Sequence, residues 1–276
     1  MTRAGDAYFE LRQRLAASPS ADLDAELLLA HVLGCSRAAL AAAPERELND
    51  AQCRALAELA VRRRNGEPVA YLTGRRAFWT LDLEVTPDVL VPRPETELLV
   101  ETALEELRTV TKPDVLDLGT GSGAIALAIA SERPDASVAA VDQTAAALAV
   151  AARNANRLQI NNVRFLLGNW YEPAGAQRFH AIVANPPYVA DDDPLLVALA
   201  HEPRSALVAG PQGLDALAEI CAGAPARLAT GGLLIVEHGA SQDAAVRAMM
   251  TGAGLRGVAT RNDLAGLPRA TRGSAD

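Results

Sequence analysis

The sequence contains few residues of the types that build disulfide frameworks and metal centres. Three cysteines and four histidines occur among its 276 residues. The number of cysteines is odd, all seven residues are widely spaced, and no histidine has a partner at the spacing of zinc ligands. We therefore expect neither a disulfide framework nor a metal site.

Lysine is also scarce, and acidic residues outnumber basic ones. The net charge is −8, the pI is near 5.1, and Lys112 is the only lysine. Residues 1–75 carry ten basic and ten acidic side chains, so the net negative charge lies in the remainder of the chain. This balance argues against a broad electrostatic surface for nucleic acid, and we expect no direct nucleic-acid partner.

Long apolar runs are missing as well. No stretch approaches the roughly 20 apolar residues that a transmembrane helix needs, and no signal peptide is recognisable. We therefore expect no membrane partner and a cytoplasmic location. Half of the residues are hydrophobic but only 4% are aromatic, a composition typical of an α/β protein rich in alanine and leucine.

The chain is long enough for one large domain and one small one. Residues 1–66 are predicted to form a helical domain, with Ser20 as the N-cap and Gly34 as the stop of one of its helices. Residues 67–95 contain alternating apolar side chains and a turn marked by prolines, which predicts a hairpin-like connector. Residues 96–276 form the predicted catalytic domain.

Within the predicted catalytic domain, strands and helices alternate. The pattern begins with the strand Val115–Leu118 and includes a long helix over residues 214–228, and a final pair of strands is expected near the end. Alternation of this kind predicts a mostly parallel sheet with helices on both faces. The fold class is therefore α/β.

One candidate site is the tetrapeptide Asn185-Pro186-Pro187-Tyr188, which follows a predicted strand. The prolines hold the backbone extended and offer no N–H, so this element presents hydrogen-bond acceptors beside a flat ring. Such an element can hold both hydrogens of a planar NH2 group and leave its face open to an electrophile. It also lies at the carboxyl end of a strand, where open α/β sheets bind ligands.

A second candidate site is the loop from Asp117 to Gly123. Its alternate glycines, at positions 119, 121 and 123, allow a tight turn at the N-terminus of a helix. Asp142 follows the next predicted strand, where a carboxylate can accept hydrogen bonds from both hydroxyls of a ribose. The loop and Asp142 together predict a cofactor that contains a nucleoside.

The loop alone fits two kinds of cofactor. A dinucleotide would use Gly121, Gly123 and Ala126 beneath its pyrophosphate, whereas S-adenosylmethionine would lay its ribose and methionyl portions over the same backbone. The receptor for an NH2 group favours S-adenosylmethionine, because an amide or amino nitrogen accepts a methyl group and has no use for a hydride.

With both elements in view, the sequence resembles the glutamine N5-methyltransferases of peptide chain release factors, the HemK/PrmC family. The resemblance covers nearly the whole chain, and its combination of motifs is more specific than any one of them. The matching segments are residues 22–34, 73–74, 78–79, 91–97, 117–123, 185–188, 201–203 and 237–239.

The resemblance implies a class I S-adenosylmethionine-dependent methyltransferase fold that modifies the glutamine of the Gly-Gly-Gln motif in class 1 release factors and leaves S-adenosylhomocysteine. The N-terminal helical domain would help to grip the release factor. The implied cofactor-binding residues are Gly119, Thr120, Gly121, Ser122, Gly123, Asp142, Trp170 and Asn185. The implied substrate-binding residues are Asn185, Pro186, Pro187 and Tyr188, of which Asn185, Pro186 and Tyr188 are the catalytic candidates.

Three features near these motifs receive weaker assignments. Asn169 stands where the family usually has aspartate, and its oxygen can still accept a hydrogen bond from the adenine amino group, without the charge. The segment Pro92–Glu97 is expected near the site without an assigned role. Glu237 and His238 are expected to be structural, because methylation of an amide does not require a side-chain base.

Three other functions remain open at this stage. The chain could methylate a glutamine of a ribosomal protein or an exocyclic amino group in DNA, or it could bind the cofactor without catalysis. The DNA alternative is disfavoured, because the predicted catalytic domain is acidic and no segment resembles a target-recognition domain. The preferred release factor and the oligomeric state do not follow from the sequence.

Overall fold

The computed structural model describes residues 2–276. Within it the chain divides into two compact units, one that ends at Arg75 and one that runs from Arg76 to Asp276. The division falls inside residues 67–95, the stretch that the sequence predicts to be a connector. Among the residues that the structure describes, no helix is both long enough and apolar enough to cross a membrane.

The first unit is mostly helical. Its core consists of leucine and alanine side chains contributed by several of its helices, with Leu28 and Leu29 fully buried. Its elements are β1 (Thr2–Arg3), α1 (Ala4–Arg14), α2 (Ala21–Leu33), α3 (Arg37–Ala42), β2 (Glu47–Leu48), α4 (Asp50–Arg64) and α5 (Val69–Thr73).

Local sequence explains where helix α2 begins and ends. Ser20 occupies the N-cap position, but its hydroxyl donates to Asp24 Oδ1 at 2.9 Å and makes no capping bond to the backbone. At the other end Gly34 has φ of +62°, the left-handed conformation that glycine adopts without steric penalty. The predicted N-cap position and stop are both correct, although the capping bond at Ser20 is absent.

The second unit alternates strands and helices, as the sequence predicts. It begins with the hairpin strands β3 (Arg75–Phe78) and β4 (Leu81–Glu84), the first of which starts at the boundary. The remaining elements are α6 (Glu97–Glu106), β5 (Asp114–Leu118), α7 (Ala124–Glu132), β6 (Ser137–Asp142), α8 (Ala145–Leu158), β7 (Val163–Leu167), β8 (Phe179–Ala184), α9 (Leu195–Ala198), α10 (Asp215–Gly223), β9 (Leu228–Glu237), α11 (Asp243–Gly252), β10 (Arg256–Asn262) and β11 (Pro268–Ser274).

Seven strands form one sheet in the order β10-β11-β9-β8-β5-β6-β7. The five strands from β9 to β7 are parallel to one another, while β11 pairs antiparallel with β9 and with β10. Two buried apolar clusters include side chains from this sheet, one joined by residues of α6 and α7 and the other by residues of α10 and α11. The mostly parallel α/β fold is therefore confirmed.

One predicted helix is too long. The sequence predicts a helix over residues 214–228, but α10 ends at Gly223 and a single 3₁₀ turn follows over Ala224–Ala226. Pro225 has no N–H to donate within a helix, so the α-helical hydrogen-bond pattern is interrupted at this residue. Leu228 is instead the first residue of strand β9, which runs to Glu237.

The parallel strands end in register, which aligns the segments that follow them. Leu118 at the end of β5 pairs with Val141 of β6 and with Ala184 of β8, and Ala184 pairs with Val236 of β9. The residues that come next in the chain therefore emerge side by side at one edge of the sheet.

The buried carboxamide of Asn154 ties helix α8 to the neighbouring segments. Its Oδ1 accepts from the Glu84 N–H at 2.6 Å, while its Nδ2 donates to the carbonyls of Glu84 and Ser122 at 2.9 and 3.0 Å. Asn154→Ala leaves these backbone groups without their partner, and we expect a loss of roughly 2–3 kcal/mol in the free energy of unfolding. Urea unfolding measures the loss, with the exposed Asn156→Ala on the same helix as the control. Equal stability of the two variants would contradict the expectation.

Candidate active site

A cleft at the carboxyl ends of the parallel strands collects most of the predicted site residues. It encloses about 910 Å³ of empty space, part of which is open to solvent. Its lining includes residues 88–90, Pro92, Thr96, residues 119–122, Ile125, residues 141–144, residues 168–170, Asn185, Pro187, Pro203, Ser205 and Ala206.

The glycine loop forms one wall of this cleft. Gly119 and Gly121 have φ of +73° and +56°, so the turn uses backbone conformations that other residues rarely adopt. Gly123 also has positive φ, but it does not line the cleft, and a Cβ at this position would lie 2.9 Å from the Leu127 side chain. Gly123 therefore packs closely against helix α7, and its contact with the cofactor stays a prediction.

Asp142 connects the ends of β5 and β6. Its Oδ2 accepts from the Gly121 N–H at 2.9 Å, and its Oδ1 accepts from the N–H and the hydroxyl of Thr144, both at 3.0 Å. A carboxylate has about four acceptor positions, so these contacts leave room for about one further donor. The sequence predicts that Asp142 holds two ribose hydroxyls, whereas much of its capacity already supports the loop.

A second carboxyl group, Asp117, is completely buried beneath the loop. Its Oδ2 accepts from the Thr120 hydroxyl at 2.6 Å and from the Ala126 N–H at 3.2 Å. Its Oδ1 has no hydrogen-bond partner among residues 2–276. Burial, with a smaller contribution from the negative charge of Asp142, raises the pKa of Asp117 to about 7 against its ordinary 3.8.

The raised pKa of Asp117 makes the protein less stable as the pH rises. Between pH 3.8 and 7 the folded chain keeps a proton that the unfolded chain has released, so stability falls by up to about 1.4 kcal/mol per pH unit and then levels off. Asp117→Asn removes this dependence. Urea unfolding at pH 4.5 and 7.5 should show a loss of several kcal/mol in the native protein relative to the variant, and the exposed Asp192→Asn should behave like the native protein. Parallel curves for Asp117→Asn and the native protein would contradict the expectation.

Trp170 and Asn169 line another side of the cleft, after the end of β7. Both donate to Glu219 of α10, Trp170 through Nε1 at 3.0 Å and Asn169 through Nδ2 at 3.3 Å. Because a carboxylate can only accept, Glu219 fixes which end of the Asn169 amide it faces. The Asn169 oxygen is thereby turned away from Glu219 and is available as an acceptor.

Asn185 follows β8 and lies on the shared wall of two clefts. It lines the cleft described above and also a smaller one, whose other lining residues include Arg93, Pro186, Tyr188 and Leu199. Its Nδ2 donates to the hydroxyl of Thr96 at 3.0 Å. The amide oxygen therefore points away from Thr96.

Tyr188 stands at the other end of the same element. Its hydroxyl donates to Glu237 Oε1 at 3.0 Å, and Glu237 is almost completely buried at the end of β9. Burial raises the pKa of Tyr188, so the phenol keeps its proton at neutral pH. The Tyr188 ring is thus held at both its backbone and its hydroxyl end.

His238 does not join this site. Its Nε2 lies 2.8 Å from the Thr271 hydroxyl and its Nδ1 lies 2.9 Å from the carbonyl oxygen of Gly239. Burial lowers the pKa of His238, which favours the neutral ring. These contacts agree with the expected structural role of His238.

The structure thus brings most predicted residues to two adjoining clefts. The larger one contains Gly119, Thr120, Gly121, Ser122, Asp142, Trp170, Asn185 and Pro187, and the smaller one contains Asn185, Pro186 and Tyr188. Sequence reasoning gave no role to Thr96, although the Pro92–Glu97 motif could have drawn attention to it. Among residues 2–276 no group of three or more histidine, cysteine or carboxylate side chains is arranged to hold a metal ion.

Two family models match the sequence. The PrmC N-terminal domain matches residues 6–74, and the methyltransferase small domain matches residues 94–210. The first match lies in the helical unit. The second spans the glycine loop, Asp142 and the element from Asn185 to Tyr188.

Curated relatives are similar over nearly the full length. The chain is 53% identical over 253 residues to a release factor glutamine methyltransferase of Xylella fastidiosa. The match covers 91% of this chain and 92% of that protein. It is 45% identical over 270 residues to a protein of the same name from Escherichia coli, with 96% of each chain covered.

Solved structures share the fold at lower identity. A methyltransferase from Pyrococcus furiosus superposes with a TM-score of 0.53 at 18% identity and covers 82% of this chain and 98% of that one. A 16S rRNA methyltransferase of Thermus thermophilus, in complex with AdoMet and guanosine, has a TM-score of 0.56 at 20% identity and covers 73% of this chain and 50% of that one. At these identities the likeness concerns the fold alone.

Proposed function

Because this chain belongs to the release factor glutamine methyltransferase family, we propose that it methylates the glutamine of the Gly-Gly-Gln motif in class 1 peptide chain release factors. The methyl group comes from S-adenosylmethionine and goes to the side-chain amide nitrogen, N5. The N-terminal helical unit helps to bind the release factor.

The larger cleft fits S-adenosylmethionine. Asp142 has room for about one further donor, which suits a ribose hydroxyl, and the Trp170 ring lies within about 4 Å of where a Cβ on Gly119 would be, so loop and ring together form a narrow wall. The Asn169 oxygen is available to accept from the adenine amino group. S-adenosylmethionine supplies, when bound, an electrophilic methyl group on a sulfonium centre.

The element from Asn185 to Tyr188 holds the glutamine amide. The Asn185 oxygen and the Pro186 carbonyl accept the two amide hydrogens, which draws electron density onto a nitrogen that is otherwise a poor nucleophile. The Tyr188 ring packs on the amide plane and fixes its rotation. An NH2 group satisfies these acceptors, whereas a carboxylate would leave them unpaired at roughly 1–3 kcal/mol each.

Positioning contributes most of the rate. Asn185 lies on the wall shared by the two clefts, so an amide held there from the smaller cleft faces the larger one. Holding two reactants in this way and excluding water converts a bimolecular encounter into a step within one complex. After transfer the methylated nitrogen is strongly acidic and loses its proton as the product reaches solvent, so no side-chain base is required.

The observation that carries this proposal is the orientation of Asn185. Its NH2 group is engaged by Thr96, so the side chain offers an oxygen to its ligand. This polarity matches an amide or amino group.

The decisive experiment is transfer of a labelled methyl group from S-adenosylmethionine to a purified class 1 release factor. The control proteins are the Gly-Gly-Ala form of that release factor, ribosomal proteins and duplex DNA. Label that appears on the release factor and disappears with the glutamine supports the proposal. Label on a ribosomal protein or on DNA would move the activity to that substrate, and no label on any of them would leave a binding protein without catalysis.

A further inference from the structure

Glu237 is a buried carboxyl group that the proposed reaction does not consume. Its side chain is about 1% exposed, its Oε1 accepts from the Tyr188 hydroxyl, and its Oε2 makes no hydrogen bond of ordinary geometry with residues 2–276. A buried acceptor without a partner costs roughly 1–3 kcal/mol. An apolar side chain would avoid this penalty, so packing alone does not explain a glutamate here.

Thr96 links Glu237 to Asn185. The Thr96 hydroxyl accepts from Asn185 Nδ2 at 3.0 Å and lies near the Glu237 carboxyl group, whose pKa it lowers. Tyr188 reaches the same carboxyl group from the other end of the Asn185–Tyr188 element. One buried carboxyl group thus connects to both side chains that are assigned to the substrate amide.

The chemistry of this chain of contacts fixes its direction. An ionised carboxylate can only accept, so the hydroxyl hydrogen of Thr96 points toward it, although no hydrogen bond of ordinary geometry is formed. Thr96 then has only lone pairs to offer, and Asn185 must present its NH2 group to them. The Asn185 oxygen is consequently the atom left for the substrate.

We propose that Thr96 and Glu237 are positioning residues that hold the Asn185 carboxamide with its oxygen toward the substrate and thereby select a glutamine side chain over a glutamate. This inference rests on the proposed function, because it names what sets the polarity of the same site. Neither residue transfers a proton to or from the substrate. Their contribution is to prevent the Asn185 amide group from rotating so that its oxygen and nitrogen exchange places.

Three substitutions test the direction of the contacts. Thr96→Val keeps the volume of the side chain but removes the acceptor, and Thr96→Ser keeps the hydroxyl. Glu237→Gln introduces an NH2 group that can donate to Thr96 and reverse the direction of these contacts. The matched control is Thr102→Val. Thr102 is equally buried, and its hydroxyl bonds Leu98 and Arg261 rather than the site.

The first measurement is kinetic. We expect Thr96→Val and Glu237→Gln to lower kcat roughly 10- to 100-fold with little change in the KM for S-adenosylmethionine, and Thr96→Ser and Thr102→Val to stay near the native rate. A release factor carrying Gly-Gly-Glu should inhibit the two impaired variants at least about tenfold more strongly than the native protein, because a turned amide donates to a carboxylate. A merely structural role would not change this preference.

The second measurement is the pH profile. Burial raises the pKa of Glu237, against the smaller opposing effects of the Thr96 and Tyr188 hydroxyls and of Arg269, while Glu95 raises it further. Protonation would let Glu237 donate a hydrogen bond to Thr96 and reverse the direction of the contacts from Glu237 through Thr96 to Asn185. The native kcat should therefore fall on the acid side, at a pH above the ordinary glutamate value, and Glu237→Gln should lack this limb.

The third measurement needs no protein substrate. In the 15N-labelled full-length protein, the Asn185 side-chain amide signal, identified by its loss in Asn185→Asp, should show one proton protected from exchange. Thr96→Val should abolish this protection and Thr102→Val should leave it intact.

The outcomes separate the two proposals. Protection and Gln-over-Glu preference that survive in Thr96→Val and Glu237→Gln would overturn the positioning roles, even if the native protein methylates release factors. A native protein that labels no release factor would overturn the proposed function, and the amide protection would still decide whether Thr96 orients Asn185.

Discussion

Asn185→Ala is expected to lower the turnover of methyl transfer roughly 100- to 1,000-fold, the range seen when one preorganised hydrogen-bonding group is removed from an active site. The affinity for S-adenosylmethionine should change by less than about threefold, because the glycine loop, Asp142 and Trp170 remain in place. The Pro186 carbonyl would still accept one amide hydrogen, but the glutamine nitrogen would no longer be oriented toward the methyl group.

The measurement is single-turnover transfer to a release factor, together with calorimetric titration by S-adenosylhomocysteine. The exposed Asn161→Ala provides a control for the loss of an asparagine elsewhere in the same unit. Equal losses of turnover and of product affinity in Asn185→Ala would show that the side chain holds the cofactor rather than the amide, and would remove the basis for the receptor model.

Asp142→Ala should have the opposite profile. The variant loses the acceptor for a ribose hydroxyl and also the contacts that hold Gly121 and Thr144, so the cofactor meets a looser loop. We expect the Kd for S-adenosylmethionine to rise roughly 10- to 100-fold, while kcat at saturating cofactor falls by less than about fivefold.

Equilibrium titration with S-adenosylhomocysteine and saturation kinetics check this profile for Asp142. Asp192→Ala is the control, since Asp192 is exposed and does not line the cleft, and its affinity should stay within about threefold of the native value. If Asp142→Ala bound the cofactor normally but turned over slowly, the carboxylate would act on the chemistry and not on binding.

Local signals made much of the fold predictable. The N-cap position and the glycine stop of α2 depend on single residues, and the alternation of apolar runs gave the order of strands and helices from β5 onward. The same signals failed where a local rule was overridden. Pro225 ends α10 before the predicted boundary, and Ser20 turns its hydroxyl to Asp24 rather than to the backbone.

The candidate site was predictable where its residues follow strands directly. The glycine loop and Asn185 come immediately after β5 and β8, and Asp142 is the last residue of β6, so the rule that ligands bind at carboxyl ends identifies them. Thr96 lies before the first parallel strand and Glu237 ends the fifth, β9, and no spacing in the sequence relates them. Only the order of strands in the sheet brings them to the same element.

The departure at Asn169 shows how context can replace a charge. The family usually carries aspartate at this position, and an asparagine offers one acceptor and one donor group in its place. Glu219 accepts from the NH2 group of Asn169, which leaves the amide oxygen as the acceptor. The negative charge therefore lies on a neighbouring helix, and the contact expected for adenine keeps an acceptor.

The antiparallel strand β11 pairs with β9, the strand that ends in Glu237. Ala270 pairs with Glu237, and the His238 N–H donates to the Arg269 carbonyl at 3.0 Å. Strand β11 follows every other element of its unit in chain order, so during translation it emerges last. The segment that ends in Glu237 therefore lacks this antiparallel neighbour until residues 268–274 have left the ribosome.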